Sequence, residues 1–262
     1  MLALERIRYI QSRIERDSAV KVDELARELR VSPITIRRDL KTLEDQGKLT
    51  RTYGGAVLTD GLTLNSEERY DDKAAHNHGA KTAMARRCLD LIPENATVLL
   101  DAGTSTFEVA RLLKTRRNVT AVTFDLRIAS ELYQAGIHTF VAGGEVQNST
   151  GSMFGPSVLR FVEQMRVDVG VIGVAGISSE GILYTPTMEK AALKQQAMGS
   201  SGIRILLADK MKFEVSSFWE ICGLRDFDHI ITDIDFSDAD WERRGVDPTR
   251  VERVIPDYAD GV

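Results

Sequence analysis

The sequence predicts an α/β protein in two parts, a small N-terminal unit of helices followed by a larger body of alternating strands and helices. Three short helical patterns precede residue 47, and after residue 66 runs rich in β-branched residues alternate with helical patterns. A chain of 262 residues with 43% hydrophobic and 28% charged side chains can bury a substantial core. The same composition excludes disordered, collagen-like and coiled-coil proteins.

Charge is distributed unevenly along the chain. Residues 1–57 hold 12 basic and 9 acidic side chains, a net charge of +3, whereas the remainder holds 22 and 30, a net charge of −8. This asymmetry predicts that only the first part faces a polyanion. The N-terminus lacks the pattern of a signal peptide, the apolar runs are too short to span a bilayer, and Cys88 and Cys222 make no disulfide framework. We therefore expect a cytoplasmic protein without membrane association.

The first two helical patterns each place their apolar residues on one face, at spacings of three and four. These residues are Ile7, Ile10 and Ile14 in the first pattern, and Leu25, Ala26 and Leu29 in the second. Ser32 is a favourable N-cap for the third helix, and Pro33 fits its first turn. The short connection between the second and third helices predicts a tight helix-turn-helix.

The third helix has two unlike faces. Its apolar stripe consists of Ile36, Leu40 and Leu43. The opposite face carries Ile34, Arg38 and Lys41, flanked by Thr35, Arg37 and Thr42. Arg and Lys can reach guanine edges or phosphates and Thr a phosphate or a thymine methyl, so this face fits a DNA major groove. A solvated face of a three-helix bundle has the same composition, so the helix alone leaves both interpretations open.

A short strand follows the third helix. Gly47 ends the helix, and Lys48–Tyr53 alternates in polarity before Gly54 and Gly55. This arrangement predicts a β-wing that carries Lys48, Arg51 and Tyr53 towards the neighbouring DNA backbone.

The third helix and the wing together form one long ordered motif. Its parts are Val31-Ser32, Thr35-Ile36-Arg37-Arg38-Asp39-Leu40, Leu43-Glu44, Gly47-x-Leu49-x-Arg51 and Tyr53-Gly54-Gly55-Ala56. The motif resembles the winged helix-turn-helix of the DeoR family of bacterial repressors, which implies double-stranded operator DNA as a partner. The residues expected to contact DNA are Ser32, Thr35, Arg37, Arg38, Lys41, Thr42, Lys48, Arg51 and Tyr53.

The organisation predicted for the whole chain is a DNA-binding domain at residues 1–57, a linker at 58–75 and an effector-binding domain at 76–262. The predicted strands of the body are Thr97–Leu100, Val119–Thr123, His138–Ala142, Val167–Ile172, Ile203–Ala208 and His229–Thr232. The predicted helices are Ser66–Ile92, Phe107–Leu113, Leu126–Gln134, Pro156–Gln164 and Met188–Met198. Such alternation predicts a mostly parallel sheet with helices covering it.

Ligands of open parallel sheets bind beyond the carboxyl ends of the strands, so the loops there carry the candidate site. Leu99–Thr106 is a strand that enters a Gly-Thr-Ser-Thr turn at the start of a helix. Backbone N–H groups at a helix start, with three hydroxyls, form a cradle suited to phosphate. An ordinary strand-to-helix turn with a Thr cap is the alternative. The pattern is neither a Walker motif nor a dinucleotide fingerprint.

Other loops are expected at the same edge of the sheet. Gly143 and Gly144 follow one strand, Glu189 and Lys194 lie on a helix, and the segment 209–213 ends another strand with two lysines. Hydroxyls, a carboxylate and lysines around a phosphate turn are what a sugar phosphate requires. Each of these elements taken singly is also explained by local structure.

These loops occur in a recognisable order: Asp101-x-Gly103-Thr104-Ser105, Gly143-Gly144, Phe154-Gly155, Asp168–Gly181, Glu189 and Asp209-Lys210-x-Lys212-Phe213. The order resembles the DeoR family's C-terminal sensor domain, which implies a Rossmann-like α/β fold similar to ribose-5-phosphate isomerase and a phosphorylated sugar as effector. The effector-binding residues that the resemblance implies are Asp101, Gly103, Thr104, Ser105, Thr106, Asp125, Gly143, Gly144, Glu189, Lys194, Lys210 and Lys212. Asp125 replaces the family's usual Asn, so we expect it to face sugar hydroxyls or a cationic group.

Two functions from different classes follow from these observations. The favoured function is a transcriptional regulator, a repressor of a carbohydrate-metabolism operon that forms a homodimer or homotetramer and leaves DNA when a phosphorylated sugar binds. The alternative is a sugar-phosphate isomerase-like enzyme with an N-terminal interaction module, for which Glu189 is the candidate general base. The favoured function needs no catalytic residue, cofactor or metal. His76 and His78, two positions apart, do not share a helix face and predict no metal site.

Overall fold

The computed structural model describes residues 3–17, 19–45, 48–52, 55–58, 70–147, 149–215 and 217–256. The chain divides into two units, Met1–Leu62 and Thr63–Val262, which we call the head and the body. The head holds one cluster of buried apolar side chains and the body holds two. Within the described ranges, the helices are too short or too polar to cross a lipid bilayer.

Helices and short strands alternate along the described part of the head. In chain order they are α1 (Ala3–Asp17), β1 (Ala19–Lys21), α2 (Val22–Leu29), α3 (Pro33–Asp45), β2 (Leu49–Thr52) and β3 (Gly55–Leu58). The strands form one antiparallel sheet in the order β1-β3-β2. The prediction of three helices followed by a wing strand is confirmed, whereas β1 and β3 have too few residues to show a period in the sequence.

The apolar stripe of α3 is the centre of the head's core. Ile36, Leu40 and Leu43 are fully buried, as the helical period predicts, and belong to one cluster with side chains of α1 and α2. The sheet closes against this core through Gly55, whose position on β3 lies so near β1 that a Cβ atom would come within 2.1 Å of the Val20 carbonyl oxygen. Glycine is therefore required where these two strands meet.

The body alternates strands and helices along most of its length. Its strands are β4 (Thr97–Leu100), β5 (Thr120–Thr123), β6 (His138–Val141), β7 (Glu145–Val146), β8 (Met153–Phe154), β9 (Val167–Gly173), β10 (Gly176–Ile177), β11 (Ile182–Thr185), β12 (Ser201–Leu207), β13 (Trp219–Gly223), β14 (His229–Thr232) and β15 (Val251–Arg253). Its helices are α4 (Tyr70–Ala75), α5 (His78–Asp90), α6 (Thr104–Leu113), α7 (Leu126–Gln134), α8 (Pro156–Glu163), α9 (Met188–Gly199) and α10 (Asp238–Arg243).

A parallel sheet of seven strands organises the body, in the order β15-β14-β12-β9-β4-β5-β6. The six strands predicted from the sequence form six of these seven positions, so the predicted α/β class and mostly parallel sheet are confirmed. The structure also contains a smaller antiparallel sheet, β10-β11-β13, and the pair β7-β8. These strands were not predicted because their apolar runs are short or irregular.

Both faces of the large sheet are covered by helices. Successive residues of a strand point to opposite faces, so Val98 and Leu100 join a core with α5, α6 and α7, while Leu99 joins a core with α8 and α9. Because neighbouring strands of this sheet are parallel, the loops after β4, β5, β9 and β12 gather at one edge. Most of the effector-binding residues implied by the sequence lie in these loops.

The predicted linker, residues 58–75, contains regular structure at both of its ends. Leu58 belongs to β3, where it pairs with Leu49, and the segment Tyr70–Ala75 forms α4. The long helix predicted from Ser66 to Ile92 is instead interrupted at Asn77, which adopts a left-handed backbone conformation with φ of 52°. Asn is among the few residues that tolerate this conformation, so the apolar stripe continues into α5 after a break that periodicity does not reveal.

Candidate functional site

The outward face of α3 carries the basic side chains that the sequence predicts for DNA contact. Arg37, Arg38 and Lys41 are exposed, and the neighbouring Ile34 is 75% exposed. Lys48, just before β2, is also exposed, and its Nζ donates to Oε1 of Gln11 at 2.8 Å. The side chain of Arg51 and the whole of Tyr53 lie outside the described residues.

The hydroxyl-bearing members of the predicted DNA set have partners within α3. Oγ of Ser32 accepts from the Thr35 backbone N–H at 3.2 Å and lies 2.9 Å from Oγ1 of Thr35, which makes Ser32 the N-terminal cap that the sequence predicts. Oγ1 of Thr42 donates to the Arg38 carbonyl at 3.1 Å. These hydroxyls hold the helix in shape, and the long basic side chains project from it.

A buried ion pair fixes α3 against α1. Asp39 follows Arg38 on the buried side of α3, and its carboxylate accepts from Nε of Arg6 at 2.5 Å and from Nη2 at 3.0 Å. Both side chains are less than a tenth exposed. Because two hydrogen bonds join the guanidinium to the carboxylate, the contact restricts the rotation of α3 against α1 as well as the distance between the two helices. It therefore sets the direction in which the exposed face of α3 points. Asp39 belongs to the sequence motif, but sequence reasoning assigned it no role.

In the body, a cavity of about 90 Å³ opens at the carboxyl end of β4. The turn 103–106 and residues 173–175, which follow β9, form two of its walls. Ala102, Thr185 and Pro186 and four lysines, Lys73, Lys190, Lys194 and Lys212, complete the lining. Among the described residues, no acidic side chain lines this cavity, so the charged groups of its lining are all basic.

The turn after β4 gives the cavity its anion-binding geometry. Gly103 is the N-cap of α6 in an extended conformation and supplies no side-chain acceptor, so the first N–H groups of the helix have no cap from that residue. Thr104 and Ser105 begin the helix and line the cavity. The hydroxyl of Thr106 instead donates to the Gly103 carbonyl at 2.9 Å and closes the turn. Backbone N–H groups and two hydroxyls therefore surround the position that an anion would occupy.

Asp101 and Lys194 form a buried pair beneath this turn. Nζ of Lys194 donates to Oδ2 of Asp101 and, at 2.9 Å, to the Gly173 carbonyl, while the same Oδ2 accepts from the Gly173 N–H at 2.9 Å. The pair joins the ends of β4 and β9 to α9. Asp101 is 1% exposed and does not line the cavity. Its position beside Lys194 supports a role in orienting that lysine rather than a contact with the effector.

Asp125 is the N-terminal cap of α7. Its Oδ1 accepts from the N–H groups of Arg127 at 2.8 Å and Ile128 at 3.2 Å, while its Oδ2 is buried and has no hydrogen-bond partner among the described residues. Burial raises the pKa of this carboxyl to about 6. Asp125 does not line the cavity. The expectation that it faces sugar hydroxyls or a cation therefore has no support from its position, and capping explains an acidic residue or Asn equally well there.

Four further residues of the implied effector set lie outside the cavity lining. Glu189 and Lys210 are exposed at the starts of α9 and of a short 3-10 helix. A Cβ atom at Gly144 would lie 2.1 Å from the Phe154 carbonyl oxygen, so this glycine is required by the close approach of the β7-β8 pair. The Gly143 carbonyl accepts from the Ser157 hydroxyl at 3.1 Å. The structure thus brings together Gly103, Thr104, Ser105, Thr106, Lys194 and Lys212.

Three polar residues of the cavity are absent from the effector set that the resemblance implies. Lys190 is 8% exposed, with its Nζ 5.6 Å from the centroid of the Phe154 ring. Lys73 comes from α4, within the predicted linker, and Thr185 from the end of β11. Lys190 could have been found because it precedes Lys194 by four positions and so shares a face of α9 with it.

Family models match both units. A model described as the DeoR-like helix-turn-helix domain matches residues 6–61, and one described as the DeoR C terminal sensor domain matches residues 76–234. The chain belongs to the DeoR family. The resemblance stated from the sequence motifs is therefore confirmed, and the chain is a DNA-binding transcriptional regulator.

Curated relatives of the family match along most of the chain. A putative aga operon transcriptional repressor of Escherichia coli O157:H7 is 33% identical over 87% of this chain and 86% of its own length. The regulator GlpR of Haloferax volcanii is 33% identical over 89% and 91%. The glycerol-3-phosphate regulon repressor of Escherichia coli K12 is 30% identical over 84% and 86%. These relatives carry the names of regulators and repressors, so the isomerase-like enzyme is not favoured.

Solved structures resemble the body more distantly. A D-ribose-5-phosphate isomerase in complex with phospho-erythronic acid is 16% identical, with a TM-score of 0.39, over 51% of this chain and 52% of that one. The delta subunit of eIF2B from Chaetomium thermophilum is 17% identical, with a TM-score of 0.48, over 63% and 60%. Both are partial likenesses of fold alone.

Proposed function

We propose that this regulator represses a carbohydrate-metabolism operon and that a phosphorylated sugar bound in the body's cavity releases it from the operator. The observation that carries the proposal is the cavity at the start of α6, where four lysines and the turn 103–106 meet and no acidic residue among those described joins the lining. A phosphate group carries close to two negative charges at neutral pH. A site of this composition favours it over a neutral sugar.

Within the cavity, the start of α6 holds the phosphate and the lysines hold the rest of the effector. The N–H groups of Thr104 and Ser105 add the positive end of the helix dipole to two hydroxyl donors. Lys194 is kept in place by Asp101, and Lys190 and Lys212 reach the cavity from α9 and the loop after β12. We propose direct effector contacts for Thr104, Ser105, Lys194 and Lys212, and a supporting role for Asp101, Gly103 and Thr106.

On the head, we propose that α3 enters the major groove of the operator. Arg37, Arg38 and Lys41 are exposed on one helix whose opposite face is fully buried, so the helix presents them together. Arg38 lies near the middle of this face and is the residue best placed to reach a base edge, while Lys48 beside the wing is placed for a phosphate. Ser32, Thr35 and Thr42 set the start and shape of the helix.

We further propose that the regulator acts in the cytoplasm as a homodimer or homotetramer. A single winged head binds DNA weakly, and pairing two heads on one duplex multiplies the affinity. The body offers an apolar surface for self-association at the edge strand β6, where Phe140 is 49% and Val141 43% exposed, beside the 82% exposed Tyr133 of α7. The effector then favours an arrangement of subunits whose paired heads no longer match the operator spacing.

A thermal-shift screen tests the proposal. Phosphorylated pentoses, hexoses and trioses are compared with the same sugars lacking phosphate and with inorganic phosphate alone. The expected result is stabilisation by one phosphorylated sugar, weaker stabilisation by phosphate and none by the neutral sugar. The same sugar must then release the full-length protein from DNA in a gel-shift titration. Stabilisation by neutral sugars only would contradict the phosphate site, and turnover of the sugar in a coupled isomerase assay would restore the enzyme as a candidate.

A further inference from the structure

Helix α4 lies at the surface of the body, but one of its lysines lines the cavity. It directly follows the residues 59–69 that connect the described parts of the two units, and none of its residues is buried. Its Lys73 nevertheless lines the cavity at the start of α6. The position of Lys73 thus joins the proposed effector site to the end of the connection with the head.

Contacts of Tyr70 with described residues of the body hold the beginning of α4. The Arg127 guanidinium of α7 lies 4.1 Å from the centroid of the Tyr70 ring. The Phe107 ring of α6 meets the Tyr70 ring edge to face at a centroid distance of 6.2 Å. The Tyr70 N–H donates to the Ser149 carbonyl at 3.1 Å. Contacts of the first two kinds are individually weak.

The end of α4 is held by one lysine of α5. Lys81 is 3% exposed, and its Nζ donates to the Lys73 carbonyl and, at 2.6 Å, to the His76 carbonyl. These bonds satisfy carbonyls at the end of a helix, which otherwise have no partner. A short helix with a few polar and aromatic contacts and no buried residue has a small free energy of docking. A single added contact can therefore change its docked population substantially.

The other cavity lysines belong to segments that are packed into a core of the body. Lys190 and Lys194 belong to α9, whose residues Leu193 and Ala197 are part of a core of the body. Lys212 is followed by Phe213, which is buried in the same core. An effector bound to these lysines meets groups that are already fixed. A ligand shifts a conformational equilibrium only if it binds the two states differently, and among the described lining lysines Lys73 is the one whose element meets this condition.

We propose that Lys73 is an effector-contacting residue whose bond to the effector fastens α4 onto the body. The inference rests on the proposed function, since it requires an anion in the cavity. With the anion bound, α4 is held at both ends and through Lys73. Without the anion, α4 detaches from the body more often. Lys73 is thus a coupling residue as well as a ligand contact.

Hydrogen exchange on the full-length protein tests this proposal, with inorganic phosphate as the probe. Amide exchange is followed in two segments, 70–75 for α4 and 103–107 for the start of α6, over a phosphate titration. Three proteins are compared: wild type, Lys73→Met and Lys212→Met. The two variants each remove one cavity lysine, and they differ in whether the lysine belongs to α4.

The proposal expects phosphate to slow exchange at least about fivefold in both segments of the wild type. Lys212→Met requires more phosphate but reaches the same protection in both segments. Lys73→Met retains protection at 103–107 when phosphate is saturating and loses it at 70–75. Protection of 70–75 in Lys73→Met equal to that of the wild type would overturn the role of Lys73. Absence of protection at 103–107 in the wild type would overturn the phosphate site itself, and the inference with it.

Discussion

Arg38 occupies the middle of the exposed face of α3, so its loss should affect sequence recognition more than general attraction to DNA. We expect Arg38→Ala to weaken binding to the operator by about 1–3 kcal/mol and to reduce the ratio of operator to scrambled-DNA affinity. Gel-shift titrations on both DNAs measure this ratio. Arg8→Ala, which removes the same charge from an exposed site of α1, is the control. If both variants lower the two affinities equally, α3 does not read the bases through Arg38.

Asp125 should make the stability of the body depend on pH. Burial raises the pKa of its carboxyl to about 6 in the folded chain, above the value of about 3.9 in an unfolded chain. Between these values the folded state binds more protons than the unfolded state, so this group lowers the free energy of unfolding as the pH rises. The free energy of unfolding falls over roughly pH 4 to 6, and the loss amounts to about 3 kcal/mol at neutral pH.

Asp125→Asn removes this dependence while keeping a side-chain oxygen for the cap of α7. We expect the variant to be more stable than the wild type at pH 7.5, with the difference falling to about a third near pH 4.5. Urea unfolding followed by circular dichroism at the two pH values provides the comparison. A difference of constant size at both pH values would mean that the carboxyl ionises in the folded chain as it does in the unfolded one.

At the scale of elements, the first turn of α6 supplies the hydroxyls of the proposed phosphate site. The double variant Thr104→Ala, Ser105→Ala removes both hydroxyls and leaves Gly103 and the backbone unchanged. Each hydrogen bond to a charged group contributes about 1.5–3 kcal/mol, so the effector's affinity should fall at least tenfold while the operator is still bound. Calorimetric titration measures the affinity, and gel shifts measure the release from DNA.

Thr115→Ala is the matched control for this double variant. Oγ1 of Thr115 donates to the Leu112 carbonyl just beyond the other end of α6, away from the cavity. We expect a small loss of stability and an unchanged effector response. If the double variant also keeps a normal response and only melts at a lower temperature, the two hydroxyls serve the turn, and Lys212 becomes the first residue to examine.

The ion pair between α1 and α3 should be essential to the head. Asp39→Ala leaves the Arg6 guanidinium buried without its partner, which typically costs about 3–5 kcal/mol. We expect the head of this variant to unfold and operator binding to disappear, while the effector still binds the body. The double variant Arg6→Met, Asp39→Leu removes both charges and should recover most of the stability. Circular dichroism and gel shifts on the single and double variants distinguish these outcomes.

The elements that the sequence predicts well are those whose local pattern and tertiary environment agree. β4 and α7 have the predicted bounds because an uninterrupted apolar run coincides with burial on both faces of β4, and a clear helical period coincides with burial on one face of α7. Strands β10, β11 and β13 escape prediction because pairing with one another, and not local pattern, makes them strands. α4 lies within the helix predicted from Ser66 to Ile92, but its separation from α5 escapes prediction because the break at Asn77 depends on backbone conformation and not on the apolar period.

The same reasoning explains the candidate site. Gly103, Thr104 and Ser105 are predictable because one turn holds them in sequence as well as in space. Lys73 is not predictable from the sequence, since it reaches the cavity from a segment whose composition is that of a linker. Gly144 and Asp125 share the expected edge of the sheet but serve local geometry, the first a close backbone approach and the second a helix cap. Order along the chain does not reveal which way a loop turns.

At the scale of the whole molecule, we expect self-association through the apolar residues around β6. Light scattering should show a dimer or tetramer for the wild type at micromolar concentration. Phe140→Glu places a charge on this surface and should lower both the mass and the affinity for operator DNA. Phe218→Glu changes another exposed phenylalanine, 63% exposed near the start of β13, and should alter neither. A monomeric wild type with full operator affinity would contradict the proposal.

The pairing of β4 with β9 has a consequence for how the chain is made. Val98 lies beside Val169, so a ribosome working at about 5–20 residues per second delivers β9 roughly 4–14 s after β4. The head has a shorter delay of about 2–8 s, since the longest-range strand pairing among its described residues joins Ala19 to Val57. During synthesis the head can therefore fold while the edge of β4 that pairs with β9 is still unpaired. For those seconds, a DNA-binding unit is already complete on a chain whose sensor is unfinished and exposes an apolar strand to aggregation.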